Sequence, residues 1–149
     1  MKPISVSEIL LNNISNKNRL DIIVRLLYVE CKYNENSYGV ELYQKMQRIR
    51  RPRHFAKGMY EPKFNTLIDS FSKSGFIKDN PIILNANKKL VNGSHRLACC
   101  IYFNCDEITY IVEDKNPKYE FTWFKKNFSD DELEIILNRY NEILDRYKE

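Results

Sequence analysis

The spacing of apolar residues changes midway along the chain, and this change limits the folds open to it. From 64 to 71 apolar side chains recur every three or four residues, which predicts a helix that ends near Gly75. Two short apolar runs follow, at 82–84 and 90–91, and a polar turn between them predicts a β-hairpin. A helix followed by a hairpin is typical of α+β domains rather than of all-helical or all-β folds.

The rest of this region continues the mixed pattern. The polar step Asn92-Gly93-Ser94 interrupts the second strand, and a helical stripe then runs from Leu97 to Tyr102. Residues 108–112 form a strongly β-prone run. We therefore predict an α+β fold with a small mixed β-sheet against which helices pack.

The first fifty residues predict three helices. Ser5 or Ser7 can cap the first helix, and Asn16 or Asn18 can open the second. The third must end before Pro52, because the residue before a proline disfavours the α conformation.

The last helix has the clearest start signal. Ser129 and Glu132 form an S-x-x-E capping box. The stripe that follows favours burial against the chain's own core, and a homodimer seam is the alternative. Its members are Leu133, Ile136, Leu137, Tyr140, Ile143, Leu144 and Tyr147.

A length of 149 residues fits one domain. We divide 1–149 into a helical extension (1–50), a mixed core (51–113) and an aromatic segment with a C-terminal helix (114–149). No apolar run is long enough for a membrane span, and the first residues lack the apolar stretch of a secretory signal, so we expect a cytoplasmic protein without membrane partners.

The four cysteines contain no C-x-x-C pair, which argues against a zinc module. We expect reduced, mostly buried thiols and no metal site formed by the chain's own ligands.

Positive charge is concentrated in one stretch. The chain has a formal charge of +4, whereas residues 44–63 alone carry +6. The basic run from Arg48 to Lys57 could form a nucleic-acid stripe, a cradle for a phosphorylated ligand that includes Lys57, or a solvated surface. Few aromatic residues alternate with these charges, so binding to single-stranded nucleic acid is disfavoured.

The segment Asn92-Gly93-Ser94-His95-Arg96 joins a predicted strand to a predicted helix. The N–H groups at a helix start lack partners and favour anions. Gly93 would let the backbone approach an anion, and Ser94 could cap the helix or donate its hydroxyl. Arg96 offers a forked donor, and His95 offers a second donor or a proton carrier. The alternative is a capped helix whose His and Arg side chains are merely exposed.

The order of these elements resembles the ParB/sulfiredoxin superfamily over about fifty residues. The family pattern is a helix with glycine, a Pro-Ile strand, a Val-Asp-Gly-x-x-Arg turn, a helix and a closing strand, and this chain has Asn92 in place of the aspartate of the turn. The corresponding residues are Asp69-Ser70-Phe71, Gly75, Pro81-Ile82, Val91-Asn92-Gly93, His95-Arg96, Leu97-Ala98 and Ile108-Thr109-Tyr110-Ile111-Val112.

The resemblance implies a nucleotide ligand: ATP or ADP, or CTP as in the chromosome-partitioning members. Ser94 stands where sulfiredoxins carry their nucleophilic cysteine, which argues against that chemistry. A DNA-recognition helix is not evident after Val112. The small-molecule kinase branch has the most similar turn, so we expect a phosphotransferase that acts on a small hydroxyl-bearing metabolite or sugar with Mg²⁺. One alternative is a non-catalytic module that binds DNA or a protein partner, and a second is a degenerate member of the kinase branch in which Asn92 marks lost catalysis.

Asn92 occupies the place of the aspartate in that kinase branch, and an amide cannot act as a general base. Glu61 is the candidate base, with Asp69 as the other choice, and His95 would assist the attacking or leaving oxygen. Asn92 would hold a substrate hydroxyl or a hydrated metal.

The aromatic segment 119–128 could form the wall of a pocket, or a hinge that packs the last helix on the sheet. It also resembles segments that follow ParB-like cores in small proteins associated with surface-polysaccharide synthesis. That similarity implies a role in surface-polysaccharide synthesis.

Overall fold

The computed structural model describes residues 1–118 and 120–148 and confirms the predicted α+β class. Four strands form one sheet, and helices pack around it. The strands are β1 (Lys2–Ser5), β2 (Ile82–Leu84), β3 (Leu90–Asn92) and β4 (Glu107–Val112). The helices are α1 (Val6–Ile14), α2 (Leu20–Lys32), α3 (Gly39–Arg50), α4 (Pro52–Ala56), α5 (Tyr60–Ser74), α6 (Ser94–Tyr102), α7 (Phe121–Asn127) and α8 (Asp130–Lys148).

The sheet is mixed, with strand order β1-β4-β2-β3. β2 and β3 form the predicted antiparallel hairpin, in which Leu84 pairs with Leu90. β4 runs parallel to β2 and antiparallel to β1. The hairpin and the central strand β4 were predicted from the sequence. β3 extends one residue further than predicted, because Asn92 still pairs with Ile83.

The prediction that the chain begins with helices alone was wrong at its start. Residues 2–5 form the edge strand β1, in which Ile4 pairs with Ile108 of β4 and only Ile4 is buried. One buried side chain gives no alternating pattern, so the local sequence carries no strand signal. Ser5 then caps α1 as predicted, because its hydroxyl accepts the N–H of Glu8 at 3.0 Å.

α2 is the most deeply buried helix of the described chain, with almost every residue from Leu20 to Glu30 buried. It is preceded by Arg19, which has a φ of 53°, so neither Asn16 nor Asn18 is its N-cap. α3 packs closely on α2 at Gly39, where a Cβ would lie 2.0 Å from the carbonyl oxygen of Leu27. Gly39 is therefore required by the close approach of these two helices. The division into extension, core and C-terminal segment stays a prediction.

Two arginines and an aspartate are buried together, Arg19 just before α2 and the other two residues on it. Arg19 Nε donates to Asp21 Oδ1 at 2.9 Å, and Arg25 Nη1 donates to Asp21 Oδ2 at 3.0 Å. Burial raises the pKa of Asp21, but the charges of Arg19 and Arg25 outweigh it and lower the pKa to about 2. This charged cluster lies next to the candidate site described below.

α3 ends at Arg50, and the short helix α4, which was not predicted, begins at Pro52. Proline is well suited to the first position of a helix, because its missing N–H needs no partner there. Gly75 ends α5 with a φ of 67° but a ψ of −155°, so it is outside the αL conformation of a typical helix cap.

The capping box of α8 is confirmed. The Ser129 N–H donates to Glu132 Oε1 at 2.8 Å, and the Glu132 N–H donates to Ser129 Oγ at 3.1 Å. The apolar stripe of α8 packs on the chain's own core, and the hydroxyl of Tyr140 donates to the carbonyl oxygen of Ile14 at 2.6 Å. Burial of the stripe does not need a second copy of the chain, so the homodimer stays a prediction.

The aromatic segment contains α7, which contributes Phe124 to the core. Its first predicted residue, Tyr119, lies outside the described residues. Within 1–118 and 120–148 we find no helix with the length and hydropathy that crossing a bilayer demands.

Candidate functional site

A cavity of about 460 Å³ lies between α5 and the β3–α6 turn, and we call it the α6 cavity. Its volume is in the range of small-molecule sites. The turn residues Asn92, Gly93, His95 and Arg96, all predicted site residues, line it together. The remaining lining residues are Tyr60, Lys63, Phe64, Leu67 and Asn80.

Gly93 packs so closely against β2 that a larger residue would not fit. It has a φ of 127°, and a Cβ at this position would lie 2.6 Å from Cγ2 of Ile82 on β2. The close packing against β2 is therefore one reason for a glycine at this position, and the approach of an anion to its backbone stays a prediction. Its carbonyl accepts the N–H of Leu97 at 2.8 Å and begins the α6 hydrogen-bond ladder.

The first turn of α6 supplies backbone donors. The helix begins at Ser94, so the N–H groups of Ser94, His95 and Arg96 have no acceptor within the helix. Ser94 does not cap the helix, because Gly93 is the N-cap residue and no side chain there accepts a backbone N–H. Ser94 is not a lining residue of the cavity, and its role as a hydroxyl donor stays a prediction.

Arg96 is held in place by the loop before β2. Its Nη1 donates to the carbonyl oxygens of Asn80, at 2.7 Å, and Pro81, at 3.0 Å. Nε and Nη2 have no partner among the described residues and are not enclosed. The guanidinium is thus oriented by the backbone while half of its fork stays available to a ligand.

His95 is held by side chains of α2 and α3. Its Nε2 lies 2.8 Å from the hydroxyl of Tyr43 on α3 and accepts the Nε–H of Arg25 on α2 at 3.3 Å. An arginine can only donate, so Nε2 must carry the lone pair and the ring proton must reside on Nδ1. Nδ1 has no partner among the described residues and is not enclosed, so it can donate to a ligand.

The imidazole is also kept neutral. Burial and the positive charge of Arg25 hold the pKa of His95 well below its ordinary value. Phe64 of α5 meets the ring edge to face, with 4.7 Å between the ring centroids. A neutral ring with its proton on Nδ1 cannot take a proton there, so this geometry favours hydrogen-bond donation over general-base catalysis.

Lys63 lines the cavity, and Lys57 does not. Lys57 follows α4 with an exposed side chain, whereas Lys63 lies on α5 beside Tyr60, Phe64 and Leu67. The spacing 60, 63, 64 and 67 places these four residues on one helix face, which is a signal that the sequence contained. Lys63 is therefore the better-placed lysine for a ligand of the α6 cavity.

Glu61, the candidate base, faces a different space. It accepts from Gln44 Nε2 at 2.8 Å and from the Tyr28 hydroxyl at 3.5 Å. It lines a separate pocket of about 80 Å³ that shares only Tyr60 with the α6 cavity. Asp69, the other choice, is exposed on α5 and does not line the α6 cavity either. Their catalytic roles stay predictions without support from this geometry.

The lining of the α6 cavity fits a phosphate and does not fit a protein-held Mg²⁺ ion. Magnesium that accompanies a nucleotide usually takes one or two carboxylates together with phosphate oxygens. Among the described residues no carboxylate lines this cavity, and the side-chain oxygens are those of Tyr60, Asn80 and Asn92. No group of three or more His, Cys, Asp or Glu side chains within the described ranges is placed to hold a metal ion.

The fold separates the side chains of the basic run from Arg48 to Lys57, which extends from the last turn of α3 to the end of α4. Arg48, Arg51, Arg53 and Lys57 have exposed side chains, whereas Arg50 turns inward and lines a second cavity. Arg48 lies over the ring of Phe55, with 6.0 Å to the ring centroid. These residues leave a small basic surface outside the α6 cavity.

Comparison with known proteins adds no relative: no family model, curated protein or solved structure matches the chain. The resemblance to the ParB/sulfiredoxin superfamily therefore stays a prediction from the sequence.

Proposed function

We propose that the protein binds a nucleotide in the cytoplasm, either ATP, ADP or CTP, with a phosphate in the α6 cavity. The observation that carries this proposal is the set of hydrogen-bond donors on one wall. Arg96 is held by two backbone carbonyls, His95 presents Nδ1–H, and the first turn of α6 adds backbone N–H groups. Oriented donors at a helix start suit a phosphate.

Charge supports the same ligand. Lys63 and Arg96 bring two positive charges to the lining, and no acidic side chain of the described chain opposes them there. Phe64 and Leu67 add an apolar surface on the α5 side, against which a base or sugar ring can pack. A nucleotide has phosphates for the cations and a ring for the apolar surface, whereas an uncharged metabolite would form no ion pair with Lys63 or Arg96.

We further propose that the bound nucleotide donates its phosphoryl group to a small hydroxyl-bearing metabolite or sugar. Phosphoryl transfer through a loose transition state depends mainly on positioning and on neutralising charge at the phosphoryl oxygens. Arg96, Lys63 and the His95 Nδ1–H would supply these effects. In this mechanism the hydroxyl oxygen forms the new P–O bond, the bond to the remaining nucleotide breaks, and the hydroxyl proton passes to solvent water. His95 donates a hydrogen bond and takes no proton from the substrate.

A non-catalytic module that binds DNA or a protein partner is the alternative. The observation that favours it is the exposed group Arg48, Arg51 and Arg53 outside the cavity. DNA binding through these residues would weaken steeply with salt. Gel-shift titrations at two salt concentrations, with wild type and with Arg51→Glu/Arg53→Glu, detect this function directly.

Isothermal titration calorimetry with ATP, ADP, CTP and pyrophosphate tests the main proposal. We expect saturable binding of at least one of the nucleotides and of pyrophosphate. Lys63→Glu should weaken binding about tenfold, because an attraction becomes a repulsion. Lys73→Glu is the matched control, since Lys73 is exposed on the same helix but outside the cavity lining. Absence of binding, or equal weakening by both variants, would contradict the proposal.

The transfer step has its own measurement. Phosphorus NMR of ATP incubated with the protein and a mixture of sugars and hydroxyl amino acids should show a new phosphomonoester signal. If a nucleotide binds but no such signal develops, the transfer step is contradicted, whereas the proposal that the protein binds a nucleotide still stands.

A further inference from the structure

A second cavity, of about 610 Å³, lies on the other side of β3, and we call it the Trp123 cavity. Ile83 and Val91, one residue from each strand of the hairpin, form its apolar floor. Trp123 of α7 and Pro117 contribute apolar walls. The cavity is larger than the α6 cavity, and nothing in the proposed function uses it.

The charged residues around this floor are mainly basic. Arg50 at the end of α3, Lys115 and Lys118 bring three positive charges, and Glu113 brings one negative charge. Lys115 lies 3.7 Å from Glu113, and both side chains keep much of their solvent exposure, so this ion pair is weak. The lining as a whole attracts an anion.

The wall formed by residues 113–118 is held by hydrogen bonds although it belongs to no helix or strand. The buried side chain of Asn85 donates from Nδ2 to the carbonyl oxygen of Lys115 at 3.1 Å. The Glu113 N–H donates to the carbonyl oxygen of Leu84 at 2.9 Å. These bonds position the wall before a ligand arrives, which lowers the entropic cost of binding.

Trp123 is placed to contact a ring. It packs edge to face on Phe124, with 4.9 Å between the centroids, and this contact fixes the indole. It is partly exposed where it lines the cavity. A fixed indole beside an apolar floor suits a sugar ring or a heterocyclic base.

We infer that the Trp123 cavity is a second binding site, for a ring-containing phosphate ester whose ring contacts Trp123 and whose phosphate is held by Arg50, Lys115 and Lys118. A sugar phosphate and a nucleoside monophosphate share this chemistry. Asn92 lines both cavities, so the two sites adjoin at the end of β3. The inference does not depend on what the α6 cavity binds.

The fluorescence of Trp123 provides the test, because it is the only tryptophan of the chain. Wild-type protein is titrated with glucose 6-phosphate and with AMP, and the uncharged controls are glucose and adenosine. We expect a saturable change of emission with at least one phosphate ester, at an affinity at least tenfold tighter than with its uncharged counterpart. If glucose 6-phosphate binds more tightly than AMP, the ring that the site recognises is a sugar; if AMP binds more tightly, it is part of a nucleoside.

Three variants locate the signal. Lys115→Glu should weaken the titration about fivefold, because it reverses one charge of the lining. Lys125→Glu, an exposed residue of α7 outside the lining, should leave the affinity unchanged. Lys63→Glu, in the α6 cavity, should also leave it unchanged, which separates this site from the proposed nucleotide site. Circular dichroism of each variant confirms that it is folded.

Three results would overturn the inference. The first is no saturable change with either ester. The second is equal binding of the esters and their uncharged counterparts. The third is a signal that Lys63→Glu removes while Lys115→Glu preserves it, because the ligand would then occupy the α6 cavity.

Discussion

The hydroxyl oxygen of Tyr43 lies 2.8 Å from Nε2 of His95. This contact joins α3 to the first turn of α6, across 52 residues of sequence. Since Arg25 donates to the same nitrogen, Tyr43 and Arg25 together determine which ring nitrogen carries the proton. The chemistry of the α6 cavity therefore depends on helices α2 and α3, which lie outside the predicted mixed core.

His95 should make the protein less stable as the pH falls. Its pKa is held well below 6.5 in the folded state, first by burial and then by the charge of Arg25; Asp21 acts in the opposite direction, and Arg50 and Arg96 lower the pKa further. Below pH 6.5 the unfolded chain therefore binds more protons than the folded one, and stability is lost as the pH falls. The loss from this group at pH 5.5 is at most about 1.4 kcal/mol.

Urea denaturation at pH 7.5 and 5.5 measures this effect. His95→Gln should show a smaller loss of unfolding free energy between the two pH values than wild type. His54→Asn, which removes the exposed histidine of α4, is the control and should keep the wild-type loss. An unchanged pH dependence in His95→Gln would contradict the assignment of a neutral ring.

Asp21→Asn should destabilise the protein by about 3 kcal/mol, because it removes the negative charge that faces the buried guanidinium groups of Arg19 and Arg25. Denaturant unfolding at pH 7 measures the change. Asp69→Asn, at an exposed position on α5, should cost less than about 0.5 kcal/mol. Equal effects of the two substitutions would show that the buried cluster is not essential to the core.

Gly93→Ala should cost about 2 kcal/mol of unfolding free energy, because the new methyl group overlaps Ile82 and the backbone keeps a positive φ. Gly58→Ala is a matched control. It also has a positive φ, of 66°, but no described atom lies within 4 Å of its added Cβ. A loss in Gly93→Ala no larger than that in Gly58→Ala would contradict the close packing of the turn on β2.

Cys105 should react with iodoacetamide faster than Cys99 and Cys100 at neutral pH. The thiol of Cys100 acts as a hydrogen-bond donor and lowers the pKa of Cys105 to about 7, whereas burial raises the pKa of Cys99 to about 12. Mass spectrometry of pulse-labelled protein should show a modification rate at Cys105 that reaches half its maximum near pH 7.

Two substitutions check this assignment. Cys100→Ala should move the midpoint of the Cys105 rate to higher pH, because the donor is lost. Cys31→Ser should leave it in place. A midpoint near pH 9 in the wild-type protein would refute the stabilised thiolate.

Local patterns were sufficient for much of the fold. The capping box at Ser129, the hairpin around residue 86 and the stripe of α5 each depend on residues a few positions apart, and all three are present. β1 could not be predicted, because a four-residue segment with one buried side chain becomes a strand only by pairing with β4, more than a hundred residues away.

The part of the site that depends on residues close together in sequence was predictable. The turn at 92–96 has a local signature, and four of its residues do line the α6 cavity. The partners of His95 come from α2 and α3, so no local pattern could reveal its tautomer or its neutral charge. Lys63 was detectable from helical spacing on α5, whereas the separation of Glu61 from the cavity depends on its long-range contacts with Gln44 and Tyr28.

The most direct test of a phosphate site in the α6 cavity is long-range ¹H–¹⁵N NMR of the His95 imidazole during titration with ATP, with assignment from His54→Asn. At pH 7 we predict a neutral ring that carries its proton on Nδ1, and a saturable shift of the Nδ1 resonance as the phosphate accepts this hydrogen bond. A ring with its proton on Nε2, or an Nδ1 resonance that does not move at saturating ATP, would contradict the account.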